Sequence, residues 1–401
     1  MIRLICIFSA VFLTTCAQEE SSNPFELAKN SLIIDTHIDA PHKLNLLNKQ
    51  GKQIHNLADF TETQFDYPKA ISGGLNIAFM SIYLPSETQI NGTSFQEANQ
   101  LIDLMEDVVT LNPEKFILIE ATENLDSLIN SRRIGLALGM ENGAPIGGIL
   151  ERVKFFYDRG IRYITLTHSK ANHISDSSYD PIHLWNGLSS FGKELIIEMN
   201  KVGIMVDISH VSDEAFFQAI EISEVPVIAS HSSLRYFTPD FERNMSDAML
   251  IKLAEKGGVV QINFGSTFIS GKARNYSNEM KAYLIEELGE GFFSYSIEDQ
   301  NEVREKFIEL KGPLPFAEVS DVLDHIDRAI KLVGVDHVGL GSDFDGVGDS
   351  LPVGLKDVSM YPNLIQGMLD RGYLEKDIGK ILGGNIKRVW RSAEEYAKNA
   401  G

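Results

Sequence analysis

Residues able to hold a metal ion recur at one kind of position in this chain, the C-terminal end of an apolar, strand-like run. The first run leads into Asp35-Thr36-His37-Ile38-Asp39. On a strand, residues i and i+2 project to the same side, so His37 and Asp39 can grip one cation together. Later runs over 134–140, 203–209, 226–230 and 338–342 end in Glu141, His210, His231 and Asp343. His37, Asp39, Glu141, His210 and His231 supply three imidazoles and two carboxylates. That set can complete two Zn²⁺ sites if one carboxylate is shared, as in two-metal hydrolases. Glu141 is the only acid at a strand end between the first and fifth runs, which makes it the expected bridge. His37 and Asp39 would then hold one ion, and His210 and His231 the other.

A single histidine at a strand end is more often structural than metal-binding. The weight here lies in the joint pattern. His42 and His55 follow the first run on loop or helix and are read as non-ligands, as are His325, on an amphipathic helix, and His337, before the last strand on the far side of the fold. Asp35 and Asp207 sit inside strands and stand as alternatives to Asp39 and His210. His173 and His183, beyond the fourth strand, are second-tier candidates.

The elements that must position these groups alternate. Strands are expected over 32–37, 74–81, 134–140, 161–167, 203–209, 226–230, 258–264 and 338–342. Helical spacing lies between most of them. Leu188, Phe191, Leu195, Ile196 and Met199 share one face, Ser212 is placed to cap the next helix, and Val319, Val322, Leu323, Ile326, Ala329, Ile330 and Val333 form another stripe. Eight strands alternating with helices predict an α/β fold, a closed (β/α)8 TIM-type barrel of the metal-dependent hydrolase kind, over 30–401. Two helical insertions interrupt it, 85–130 and 266–316. The second is rich in charge and follows strand seven, so it is a candidate lid or subunit contact at the catalytic mouth. A closing helix is expected over 375–398, interrupted at Gly383-Gly384.

The 401 residues, 43% of them hydrophobic, are ample for one large barrel domain. The net charge of −20, with no Lys/Arg-rich run, argues against a nucleic-acid partner. Both cysteines, Cys6 and Cys16, lie in the first sixteen residues, so metal ligands in the folded domain must be His, Asp or Glu. Residues 1–15 have the pattern of an export signal: Arg3, then an apolar stretch to Leu13. Leu13-Thr14-Thr15-Cys16 resembles a bacterial lipobox, with Thr15 in place of the usual small residue. Residues 16–29 would be a tether from a lipidated Cys16, holding an exported enzyme at a bacterial membrane, facing the periplasm or cell surface. Plain secretion is the alternative.

These residues carry a family resemblance. Asp35-Thr36-His37-Ile38-Asp39, Gly139-Met140-Glu141-Asn142-Gly143, Leu166-Thr167-His168-Ser169, Asp207-Ile208-Ser209-His210-Val211-Ser212, Ser230-His231-Ser232-Ser233, Arg243-Asn244 and Gly341-Ser342-Asp343-Phe344-Asp345-Gly346-Val347 occur in this order. The chain resembles the membrane (renal) dipeptidases, the M19 metallopeptidases, from about residue 30 to 397. The resemblance implies a binuclear zinc dipeptidase acting on free dipeptides, C-terminal D-residues among them, through a metal-bridging hydroxide. It puts His37 and Asp39 on one zinc, His210 and His231 on the other, and Glu141 between them. It further implies that protonated His168 contacts the scissile carbonyl, that Arg243 binds the substrate carboxylate, and that Asp343 moves protons. Arg235 is the rival for the carboxylate and Asp345 for the proton. A homodimer is an open partner. Gly265 departs from the family, standing where an aromatic residue often follows Asn263-Phe264. Another two-metal barrel amidohydrolase or lactonase is the rival enzyme reading, and a non-catalytic surface lipoprotein the rival outside enzymology.

Overall fold

The structure is a computed structural model that describes residues 23–51, 57–292 and 295–400. The expected export signal, Cys16 and His55 lie outside the described residues. Residues assigned to the tether do not all stay outside the domain: Pro24–Asn30 form a helix, capped by the Asn23 side chain, with Ala28 buried. Among the described residues, no helix is long and apolar enough to cross a membrane.

Among the described residues, nine parallel strands form one sheet: β1 (Ile34–Ile38), β2 (Ile77–Tyr83), β3 (Phe116–Leu118), β4 (Ile134–Glu141), β5 (Ile161–Thr165), β6 (Met205–Asp207), β7 (Ile228–Ala229), β8 (Val259–Ile262) and β9 (Val338–Leu340). Eight of them run in the order β1-β2-β4-β5-β6-β7-β8-β9, and these are the eight strands expected from sequence. β3 was not expected. It lies inside the 85–130 insertion and pairs with the start of β4, which β5 does not reach until Leu138. Backbone bonds close the ring between β1 and the segment after β9, Asp39 N to Phe344 O (2.8 Å) and Asp343 N to His37 O (3.1 Å). The result is a (β/α)8 barrel.

Period-2 alternation sorts the strand side chains into two cores. Outward residues such as Ala78, Met80, Leu136, Leu138 and Val206 pack under the surrounding helices. Inward residues begin with an apolar floor of Ile34, Ile77, Ala137, Met205, Ile228 and Val259. The C-terminal helix Asn385–Ala400 plugs that floor with Ile386, Val389, Trp390 and Ala393. This i, i+3, i+4, i+7 set faces one direction. As expected, the segment before this helix is interrupted: Glu375–Gly379 gives way to a π turn over Lys380–Gly384. A Cβ on Gly383 would fall 2.4 Å from Leu32 O, so only glycine lets this turn approach the barrel so closely.

Two buried carboxylates tie strand ends together. Asp35 accepts from the backbone N–H groups of His37 (3.0 Å) and Ser342 (3.1 Å) and from the Tyr361 hydroxyl. Asp207 accepts from the Ser209 (3.0 Å) and Ser230 (2.8 Å) N–H groups and from the Thr165 and Ser230 hydroxyls. Both are therefore backbone ties and not ligands facing the mouth.

The 266–316 insertion is helical: Ser266–Ile269, Gly271–Leu288 and Ile297–Lys311. It joins the barrel partly through His325 on the amphipathic helix Val319–Val333. His325 is fully buried. Its Nδ1 accepts from Leu234 N (3.0 Å), so its Nε2 donates to Ile269 O (3.1 Å). Burial pushes its pKa down to about 4, against the opposing pull of that carbonyl. An unfolded imidazole titrates near ~6.5, so the folded value is the lower one. The stabilising contribution is complete above the unfolded pKa, declines as pH falls towards about 4, and is then lost. The expected loss is roughly 3 kcal/mol. Urea unfolding of wild type and His325→Gln should show the wild-type advantage shrinking by that order between neutral pH and pH ~4. A pH-independent difference would contradict the neutral buried imidazole.

Candidate metal centre

The upper inward layer of the barrel is polar: Ser81, Glu141, Thr165, Asp207 and Asn263 follow the apolar floor on the same strand faces, and all are buried. Glu141 stands at its centre. Its Oε2 is 3.3 Å from His37 Nε2 and accepts from Ser81 Oγ (3.1 Å). Its Oε1 is 3.0 Å from His210 Nε2, 3.2 Å from His231 Nε2 and 3.6 Å from His168 Nε2. Asp39 Oδ2 lies 3.4 Å from His37 Nε2. Three groups of potential donors overlap here: His37, Glu141 and His231; Glu141, His168 and His210; His37, Asp39 and Asp343. All six strand-end residues expected from sequence thus converge on one site, with His168 beside them.

The electrostatics suit a cation. Burial alone would raise the pKa of Glu141, but the imidazoles around it, the charge of His37 foremost, hold it well below the carboxylate range. Burial, reinforced by neighbouring Arg243, drives His210 and His231 well below the imidazole range, leaving them neutral. At His37 burial opposes charge, yet Tyr163, Glu141 and Asp39 raise its pKa well above the usual value. His37 Nε2 and Asp39 Oδ1 are buried without a hydrogen-bond partner, as fits atoms that can serve as metal ligands.

Two hydroxyls missed in the sequence orient the imidazoles. Tyr163 donates to Thr36 O (3.1 Å), so its oxygen receives the bond from His37 Nδ1 (2.8 Å), turning Nε2 inward. Tyr163 reaches across the barrel because Gly139 lies beneath it: a Cβ there would sit 2.0 Å from its ring. Ser230 Oγ donates to Asp207 Oδ2 (2.6 Å) and so receives from His231 Nδ1 (2.8 Å). Such outer partners fix tautomer and ring direction. Strand alternation could have flagged Tyr163, two residues before Thr165; nothing local singles out Ser230. His210 (φ 70°), Asp343 (φ 64°), Asp345 (φ 66°) and Asn142 (φ 77°) adopt left-handed backbone. For a histidine this costs ~1–3 kcal/mol and marks functional segments.

The other candidates separate. Asp343 accepts from Asn263 Nδ2 (2.6 Å) and, by burial and the charge of Asp39, is pushed up to about 7. Gly346 leaves room for both acids: a Cβ would lie 2.1 Å from Asp39 Oδ2 and 2.2 Å from Asp343 Oδ1. Asp345 is engaged by the Gln64 and Phe65 N–H groups at 2.9 and 3.1 Å. Burial lowers the pKa of His168, so the neutral ring, not the expected protonated one, is favoured. Arg243 is buried behind His231, donating to Ser232 Oγ (2.6 Å) and His231 O (2.8 Å), with Nε unpartnered. Arg235 is committed to Asp213 at 2.6 and 2.7 Å. His173 packs on Phe191, and His183 sits 4.0 Å from Glu214. Neither lines the cavity. His42 does line it, with its ring 4.9 Å from Tyr83.

The centre opens into a cavity of about 780 Å³ whose further lining includes Tyr83, Tyr179, Phe268 and Val347. Phe268 supplies the aromatic wall absent at Gly265, since its Cδ2 would lie 2.9 Å from a Cβ at that glycine. In metal-free protein, ¹⁵N spectra should show His231 as the neutral Nδ1–H tautomer. Ser230→Ala removes the acceptor and should give mixed tautomers; an unchanged signal would mean that Ser230 does not set the ring.

Comparisons with known proteins agree with this architecture. The family model described as membrane dipeptidase (peptidase family M19) matches residues 23–401. The chain is 31% identical to dipeptidase 3 of Mus musculus over 378 residues, covering 93% of this chain and 67% of that one. It is 32% identical to an uncharacterized dipeptidase of Schizosaccharomyces pombe over 387 residues, covering 93% and 83%. The crystal structure of the probable dipeptidase PvdM from Pseudomonas aeruginosa superposes with a TM-score of 0.81 at 25% identity, covering 93% and 98%. The chain belongs to the membrane dipeptidase family, peptidase family M19, and is a metallo-dipeptidase built on a (β/α)8 barrel.

Proposed function

We propose that this protein hydrolyses free dipeptides with two zinc ions, one held by His37 and Asp39, the other by His210 and His231, and both by Glu141. The observation that carries this is the division of the Glu141 carboxylate. One oxygen faces His37 at 3.3 Å, and the other faces His210 and His231 at 3.0 and 3.2 Å. Nitrogen and carboxylate donors without thiolates suit zinc. When bound, the ions would supply Lewis-acid polarisation of the scissile carbonyl and make a water acidic enough to act as nucleophile near neutral pH.

The chain's own residues do the rest. His168, tilted against His210 with ring centroids 4.2 Å apart, is placed to donate to the carbonyl oxygen as charge develops there. Asp343 accepts a proton at its carboxylate from the nucleophile and returns it to the leaving amine. A pKa displaced towards neutrality suits both steps, although nearby cations would draw it down again. Arg243 offers a permanent charge for the substrate carboxylate. Its buried bonds to Ser232 and His231 O keep it rigid and couple its place to that of a ligand. Export through residues 1–15 and lipidation at Cys16 complete the proposal. They rest on the apolar run that ends at that cysteine.

Metal analysis of purified protein, combined with a dipeptide panel that includes C-terminal D-residues, tests the whole. About two zinc ions per chain and turnover of unblocked dipeptides are expected. Glu141→Gln should lose metal from both positions together and abolish turnover; full occupancy would rule out the shared carboxylate. Arg243→Met should cut kcat/KM for free dipeptides by about 10²-fold. Dipeptide amides, lacking the negative charge, should be poor substrates for wild type and little affected by this substitution. Wild-type cleavage of amides or longer peptides as readily as free dipeptides would exclude the carboxylate clamp.

A further inference from the structure

The insertion after β8 does more than supply Phe268. Helix Gly271–Leu288 carries Lys281, which lines the cavity above the metal centre and is exposed to solvent. Lys170, from the loop after β5, lines the same cavity but stands 3.6 Å from Asp180. Lys281 has no ion pair or hydrogen bond among the described residues. Arg274 lies two turns earlier on the same helix, its guanidinium 3.6 Å over the Phe241 ring. Phe241 in turn meets Phe268 at 5.6 Å, and Phe268 lies 5.5 Å from the Arg243 guanidinium.

Helical geometry makes this arrangement directional. At 100° per residue, Arg274 and Lys281 fall within roughly 20° of each other. Tyr276 and Tyr283, which pack on Phe307 at 5.2 and 5.6 Å, fall on the opposite side, roughly 180–200° away. The helix is therefore anchored to Ile297–Lys311 by its back and turns its basic face to the mouth. Its acids Glu279, Glu286 and Glu287 lie roughly 120–220° from Arg274, away from the mouth. In a chain of net charge −20, a solvated, unpaired lysine over the cavity is a local reversal of sign.

We propose that Lys281, assisted by Arg274, selects dipeptides whose C-terminal residue carries an acidic side chain. This rests on the dipeptidase function proposed above, with Arg243 on the terminal carboxylate. The aromatic pair Phe268 and Phe241 links Arg243 to Arg274, so the basic face of the helix belongs to the C-terminal side of the substrate. A side-chain carboxylate there gains Coulombic attraction, which is screened by salt because Lys281 is solvated. The cavity, about 780 Å³, has space for that second charged group.

The test compares isosteric pairs at neutral pH and low salt: Ala-Glu against Ala-Gln, and Glu-Ala against Gln-Ala. Wild type should favour Ala-Glu over Ala-Gln in kcat/KM by about tenfold, with no such preference for Glu-Ala over Gln-Ala. Lys281→Met should bring the Ala-Glu to Ala-Gln ratio close to one, Lys281→Glu should invert it, and Lys281→Arg should retain it. Raising salt towards 1 M should erase the wild-type preference. Turnover of Ala-Gln with no preference for Ala-Glu, or a preference that survives Lys281→Met, overturns the acidic selection and leaves the dipeptidase function standing. Failure to cleave any of the four overturns both.

Discussion

A carboxylate with almost no exposure cannot remain charged unless positive charge or strong donors surround it. Glu141 is such a group, and the upper barrel is organised around it. Four imidazoles arrive from four strand ends, and Ser81 adds a donor from a fifth. The imidazole nitrogens and carboxylate oxygens crowded around it make the site suited to cations.

The barrel places these groups through its inward layers. Apolar residues fill the floor, Tyr163 and Gln261 occupy the middle, and polar residues begin where the strands end. Closure of the ring and construction of the site are one event. The bonds that join β1 to the segment after β9 start from Asp39 and Asp343 and end on Phe344 and His37. Asp35 then braces His37 and Ser342 from below, while Asp207 braces Ser230 and hence the His231 ring. A disturbance of strand register at either seam would move ligands as well as core, because a slip of one residue reverses inward and outward faces.

The insertion after β8 acts on a different link. Its anchoring interactions are aromatic and sit on the back of its first long helix, and His325 fastens its base. The front is free to carry charge. Phe268 and Lys281 thus reach the cavity without the barrel changing, as expected of a scaffold whose loops vary over a constant frame.

Much of this was legible in the residues alone. Apolar runs with period-2 or helical spacing identified all eight barrel strands, and the ligand candidates stood at their ends because alternation and strand length are local properties. The motifs from Asp35-Thr36-His37 to Asp343-Phe344-Asp345 carried the family. β3 escaped notice because three residues of Phe-Ile-Leu pattern carry too little periodicity to distinguish a strand from a helix end. The helix at Pro24–Asn30 escaped because its one buried residue depends on a distant partner. What tertiary structure alone decided is which polar residues face one another across the barrel. Asp35 and Asp207 look like ligands in sequence and prove to be braces, and Arg235 looks like a clamp and is spent on Asp213. Tyr163 and Ser230 look like nothing and set two rings. Local pattern determines which face a side chain takes, but a hydrogen bond between strands 126 residues apart, as for His37 and Tyr163, depends on how the barrel closes.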